Sequence, residues 1–123
     1  MIRGTVSARI EAVVPITIYD ADGSPVQVDV TIDTGYTGEL TLNSSLVSQL
    51  GLNLIGSYDA QLADGSLHRY EYYSARIDWD GSIRNIEVML IANAPLLGMS
   101  SLNGSRLLID AVPGGNVTIE RLS

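Results

Sequence analysis

The sequence predicts an all-β domain, a small barrel of short strands with one short helix and a candidate second helical turn. Three observations lead there. Val26, Val28, Val30 and Ile32 alternate with polar residues, the period-2 pattern of a half-buried strand. Asp-Gly-Ser occurs at 22–24, 64–66 and 80–82, repeated turn chemistry between segments that do not otherwise match. Only Ser45–Leu50 carries a well-defined helical pattern. Many short strands with regular turn signals read as a barrel.

In chain order, Ile2 to Ile10 has apolar or small residues at every second position and reads as the first strand. Val13 to Tyr19 reads as the second, with Pro15 marking an edge or bulge position. The cluster 20–25 turns the chain into the strand ending at Ile32, and Thr37 to Leu42 is extended again. Asn43 or Ser44 caps the short helix, whose Leu46, Val47 and Leu50 share a face, and Gly51 ends it. Leu52 to Ile55 is extended. Tyr58 to Leu62 and Leu67 to Tyr73 flank the hairpin turn Ala63-Asp64-Gly65-Ser66, and the second arm runs on to Trp79. Asp80-Gly81-Ser82 turns into Ile83 to Ile91. Leu96-Leu97-Gly98 precedes a helical turn from Met99 to Leu102, and Arg106 to Asp110 and Asn116 to Leu122 are the last strands.

With 123 residues, the chain is read as a single domain, 1–123, large enough for a real core. Its hydrophobic fraction of 46% argues against disorder. No apolar run approaches the roughly 20 residues of a membrane span. The N-terminus lacks an apolar leader, so a cytoplasmic location and no membrane partner are expected. There is no cysteine, which removes disulfides, thiol nucleophiles and thiolate metal sites. A net charge of −7, with only 7 Lys and Arg, is unfavourable for nucleic acid.

The chemistry concentrates at Asp33-Thr34-Gly35, directly after the alternating strand. A carboxylate at a strand end in a glycine turn has its position set by the fold, as a catalytic acid requires. Gly35 and Gly38 allow the backbone to approach that acid. The same tripeptide also occurs as a plain turn. Neither a metal-ligand cluster nor a Gly-x-Ser-x-Gly elbow is present, and His68 is the sole histidine, read as solvated. Tyr70, Tyr72 and Tyr73 fit strand packing or a cleft wall.

Taken in order, Asp33-Thr34-Gly35, the glycine-tipped hairpin at Asp64-Gly65 and Leu96-Leu97-Gly98 resemble the single-domain, retropepsin-like (clan AA) aspartic proteases. The resemblance is to the bacterial and archaeal branch, in which an aromatic follows the Asp-Thr-Gly. It spans nearly the whole chain. It implies a closed acid-protease barrel and a homodimeric aspartic endopeptidase acting on peptide or protein substrate without a cofactor. Each chain would give Asp33 to a catalytic pair, because the sequence holds only one Asp-Thr/Ser-Gly.

The resemblance also assigns supporting roles. Thr34 would brace the two active-site loops, or else hydrogen-bond locally in its turn. Gly35 would let a backbone N–H reach the carboxylate. Leu96, Leu97 and Gly98 would cross behind the loop as structural support, and also pack as core. Ala63, Asp64, Gly65 and Ser66 would form a flap over substrate, or an ordinary surface hairpin. Tyr36 would narrow the substrate pocket or pack inward. Retroviral members carry a small residue and then an acid after Asp-Thr-Gly, and an arginine after Leu-Gly; here Tyr36, Thr37 and Met99 stand in the corresponding places. A catalytically silent dimeric peptide-binding or scaffold module on the same fold is the alternative.

Overall fold

A computed structural model describes all residues, 1–123. Ten strands form one mixed, mostly antiparallel sheet: β1 (Ile2–Val6), β2 (Ala12–Tyr19), β3 (Pro25–Ile32), β4 (Leu40–Leu42), β5 (Asn53–Gln61), β6 (Leu67–Trp79), β7 (Ser82–Leu90), β8 (Leu96–Leu97), β9 (Ser105–Ile109) and β10 (Asn116–Arg121). Two helices, α1 (Ser44–Leu50) and α2 (Met99–Leu102), complete it.

The strand order is β5-β6-β7-β4-β8-β3-β2-β1-β10-β9, with an added pairing of β6 to β2 through Thr17–Asp78, Ile18–Ile77 and Tyr19–Arg76. The expected closed barrel is therefore corrected. The β2–β6 ladder joins two interior strands and folds the sheet over its core, but the terminal strands β5 and β9 do not pair with each other. Each keeps one free edge, because β5 bonds only β6 and β9 bonds only β10.

The alternating patterns bury what they should. Val14, Ile16 and Ile18 of β2, Val28 and Val30 of β3, Ile77 and Trp79 of β6, Ile86 and Val88 of β7, and Val117 and Ile119 of β10 form one core. Leu40, Leu42 and Leu97 join it from the short strands, and Val47 and Leu50 from α1. The Asn43 side chain caps α1 by accepting from the Leu46 N–H at 2.9 Å, and Gly51 closes it at φ 64°.

Local readings differ at four places. The first strand stops at Val6, because Ser7 and Glu11 close a turn (Ser7 N–H to Glu11 carbonyl, 2.9 Å) with Ile10 at φ 61°. Residues 37–39 lie in a loop, so β4 begins only at Leu40. The two extended segments after Gly51 are one strand, β5, with a register shift between Leu54 and Gly56. Pro15 lies on an interior strand, yet its missing N–H is tolerated: on that side β2 pairs with β1 at residues 12–13 and with β6 at 17–19, leaving residue 15 between the two ladders. All three Asp-Gly-Ser clusters are turns, with Gly23, Gly65 and Gly81 at φ 81°, 86° and 90°.

Candidate active site

Asp33 stands where β3 gives out. Ile32 pairs in parallel with Leu97 of β8, and the next backbone N–H, that of Asp33, donates to the Leu97 carbonyl at 2.9 Å. The chain then turns: the Tyr36 N–H donates to the Asp33 carbonyl at 3.2 Å. Inside that turn the Gly35 N–H donates to Asp33 Oδ1 at 2.9 Å, an Asx arrangement that fixes the carboxylate against its own loop. Oδ2 has no partner within the chain, and Asp33 is half-buried. Thr34 is exposed, and its hydroxyl makes no hydrogen bond within the chain.

The loop after the turn is held by α2. The first N–H groups of a helix lack intrahelical partners. Here the Met99 N–H donates to the Tyr36 carbonyl at 2.8 Å and the Ser100 N–H to the Gly38 carbonyl at 3.1 Å, while the Gly98 N–H donates to the Glu39 carbonyl at 2.9 Å. The Ser100 hydroxyl donates to the Thr37 carbonyl, and the buried Ser101 hydroxyl to the Glu39 carbonyl at 2.8 Å. Arg84 ties α2 back to the sheet, donating from Nη1 to the Ser101 carbonyl at 3.1 Å while lying 4.7 Å over the Trp79 ring. The buried Thr41 Oγ1 accepts from the Leu96 N–H at 3.0 Å.

Glycine at 98 follows from this packing: a Cβ there would strike the Gly38 carbonyl oxygen and the Tyr36 ring. A Cβ at Gly38 would also meet the Tyr36 ring, whereas at Gly35 its nearest neighbour would be Asp33 Oδ1 at 3.3 Å. So Gly35 accommodates the acid, and Gly38 makes room for the tyrosine rather than for the acid. Tyr36 is half-buried across the two glycines.

Around the Tyr36 hydroxyl the surroundings are polar and acidic. Burial pushes its pKa above 10.0, and nearby Tyr58, Glu39 and Glu87 push the same way. Tyr72 is raised as well, by burial first and then by the adjacent Tyr58 hydroxyl and the charges of Tyr58, Tyr36 and Glu87. Tyr58 stacks on Tyr70 at 5.4 Å and on Tyr72 at 5.2 Å between ring centroids, and His68 tilts against Tyr70 at 4.6 Å. An aromatic strip thus runs along one face of the β5–β6 hairpin toward Tyr36.

The structure brings Asp33, Thr34, Gly35 and Tyr36 together with Leu96, Leu97 and Gly98. It does not bring Ala63, Asp64, Gly65 or Ser66 to them. Those four residues form the exposed tip of the hairpin and make no hydrogen bond to residues 33–38. The tip is ordered by Asp64, whose Oδ1 accepts from the Ser66 hydroxyl at 2.6 Å and the Ser66 N–H at 2.9 Å, holding the carboxyl below its usual range. His68 is exposed, but it is stacked rather than free.

Sequence reasoning missed Glu39, Ser100, Ser101 and Tyr58. The signal for the serines was their place just after Gly98, where hydroxyls serve the open end of a helix. Glu39 carried no signal, since the strand it touches, β7 (Glu87 N–H to Glu39 Oε2, 2.9 Å), is distant in sequence. No group of three or more His, Cys, Asp or Glu side chains converges as a metal site would require, and no helix is long and apolar enough to cross a membrane.

The fold that carries this arrangement is similar to that of the retropepsin-like aspartic proteases. The chain is similar to the crystal structure of a retropepsin-like aspartic protease from Rickettsia conorii, with a TM-score of 0.62 and 15% identity over 98% of this chain and 90% of that one. It is also similar to EIAV protease complexed with the inhibitor HBY-793, with a TM-score of 0.50 and 19% identity over 72% of this chain and 84% of that one. At these identities the likeness is one of fold. The sequence itself matches no protein-family model and no curated protein.

Proposed function

We propose that the chain is one protomer of a homodimeric aspartic endopeptidase in which Asp33 of each subunit forms the catalytic pair. The observation that carries this reading is the Asp33 turn. A half-buried carboxylate is pinned through one oxygen by the Gly35 N–H and through its backbone by Leu97, with the other oxygen unpartnered, on a retropepsin-like fold. Two chains are required because the sequence carries a single Asp-Thr/Ser-Gly.

Two carboxylates facing across a twofold axis share one proton, since like charges that close do not both ionise. The ionised member takes a proton from a bound water as the water oxygen forms a bond to the peptide carbonyl carbon. The protonated member hydrogen-bonds the developing oxyanion. Collapse of the tetrahedral intermediate breaks the C–N bond, and the nitrogen leaves as the amine with a proton from the pair.

Thr34, whose hydroxyl has no partner within its own chain, serves the opposite loop across the axis. Leu96, Leu97 and Gly98 hold the acid's position without taking part in chemistry. The Ala63–Ser66 tip acts as a flap whose backbone groups meet an extended peptide. Tyr36 and the strip of Tyr58, Tyr70 and Tyr72 wall the cleft beneath it.

The test is digestion of a complex peptide mixture by wild type and Asp33→Asn in parallel, from acid to neutral pH, with new termini read by mass spectrometry. New termini with wild type alone are expected. Peptide binding without cleavage, unchanged by Asp33→Asn, would instead establish the silent binding module.

A further inference from the structure

We infer that a hollow lined by Arg84 and Arg121 at one end of the core binds a small organic carboxylate with an apolar body. It is separate from the candidate active site, since no residue of 33–38 lines it, and it rests on no part of the protease reading.

Strand parity makes these two arginines stand out. Ile86 and Val88 of β7 are buried, so Arg84, two residues before Ile86, lies on the same inward face. Val117 and Ile119 of β10 are buried, and Arg121 is the next residue on their face. Inward positions call for apolar side chains. Two strands nevertheless turn from apolar residues to arginine beside one hollow, in a chain with only 7 Lys and Arg. Arg84 is accounted for in part: Nη1 donates to the Ser101 carbonyl at 3.1 Å, and the guanidinium lies 4.7 Å over the Trp79 ring. Its other N–H donors are left over. Neither Arg84 nor Arg121 joins an ion pair, although the chain carries 14 Asp and Glu.

The hollow measures about 340 Å³, the scale of a small-molecule pocket. Its apolar lining is Ile2, Trp79, Ile119 and Leu122. Asp80 is the one acid that lines it, and the Met1 amino group, 2.5 Å from Asp80 Oδ1, offsets that charge. Two guanidinium groups beside one hollow repel each other, and an anion between them turns that repulsion into attraction. A guanidinium fork matches the planar carboxylate through two parallel hydrogen bonds. The apolar lining then takes the rest of the molecule, which a bare inorganic ion would leave unused.

Trp79 is the chain's only tryptophan, so its fluorescence reports on this hollow. Wild type is titrated with N-acetyl-leucine, N-acetyl-leucine amide and inorganic phosphate, followed by fluorescence and by backbone amide chemical shifts. The acid is also titrated into Arg121→Gln and Arg106→Gln, with folding checked by circular dichroism. Arg106 pairs with Glu120 at 3.1 Å and does not line the hollow, so its variant makes the same charge change elsewhere. The acid should bind saturably, with shifts at residues 79–84, 103–105 and 119–122. Its dissociation constant should rise at least ~10-fold in Arg121→Gln and stay unchanged in Arg106→Gln, and the amide should bind at least ~10-fold more weakly than the acid. If Arg121→Gln fails to fold, the acid–amide comparison and the shift map decide. No saturable binding of the acid overturns the site, as does an amide that binds equally well or a folded Arg121→Gln that binds like wild type. Shifts confined to residues 33–38 overturn it too, by placing the ligand in the candidate active site. Phosphate that binds more tightly than the acid overturns the organic ligand class.

Discussion

The backbone N–H of Asp33 donates to the carbonyl of Leu97 at 2.9 Å, so the acid is held by the far end of the chain and not by its own turn alone. Leu97 is fully buried and pairs on one side with Ile32 and on the other with Leu40. Whatever displaces Leu97 or its glycine neighbour displaces the acid.

Gly98→Ala should therefore act at the site as well as on stability. Its Cβ would strike the Tyr36 ring and the Gly38 carbonyl, and that carbonyl cannot withdraw without opening the bond from Ser100. Overpacking of this kind costs about 1–3 kcal/mol. Urea unfolding checks it, and a variant as stable as wild type would refute the packing. Cleavage should fall along with stability, because the same bonds position residues 36–39.

Thr41→Val tests the second anchor of β8. The swap keeps the shape but removes the Oγ1 that accepts from the Leu96 N–H at 3.0 Å. Leaving that amide without a partner should cost about 1–3 kcal/mol, whereas Thr41→Ser, which keeps the hydroxyl, should retain most of the stability. Equal unfolding midpoints for the Val and Ser variants would show that the bond contributes nothing.

Alkaline pH should weaken the fold through Tyr36 and Tyr72. Both have folded pKa values raised above 10.0, burial being the leading cause. The unfolded chain then releases these protons first. Stability is complete below about pH 10 and falls as pH rises through the folded values. Tyr36→Phe and Tyr72→Phe should each flatten that decline in urea titrations paired with tyrosinate absorbance. A decline as steep as wild type in both would remove the two phenols as its source.

Much of the fold was legible because local chemistry and tertiary packing agreed. Val14, Ile16 and Ile18, and Val28 and Val30, are buried where their alternation put them, and Asn43 and Gly51 bound α1 as their cap chemistry requires. Ile2 to Ile10 misled for the opposite reason. Its alternation continues through Ala8 and Ile10, but the Ser7–Glu11 turn ends the strand and leaves Ile10 exposed. Gly38 was assigned to the approach of the acid; the neighbour that needs its missing side chain is Tyr36. At the candidate site, Asp33-Thr34-Gly35 could be picked out as a strand end in a glycine turn. The contribution of Glu39 and the serines of α2 could not, because the bonds their side chains make there span dozens of residues.

By itself the sequence determined the alternation of the long core strands, the three Asp-Gly-Ser turns, the capped helix and the position of the acid at a strand end. Each of these is a property of neighbours within a few residues. The tertiary structure alone decided that the sheet folds over without closing, that β8 slips between β3 and β4 to hold Asp33, and that β9 is left with an open edge beside Thr34. Strand partnership is fixed by which apolar faces find each other across the core, and two-residue strands such as β8 have no pattern of their own to announce it.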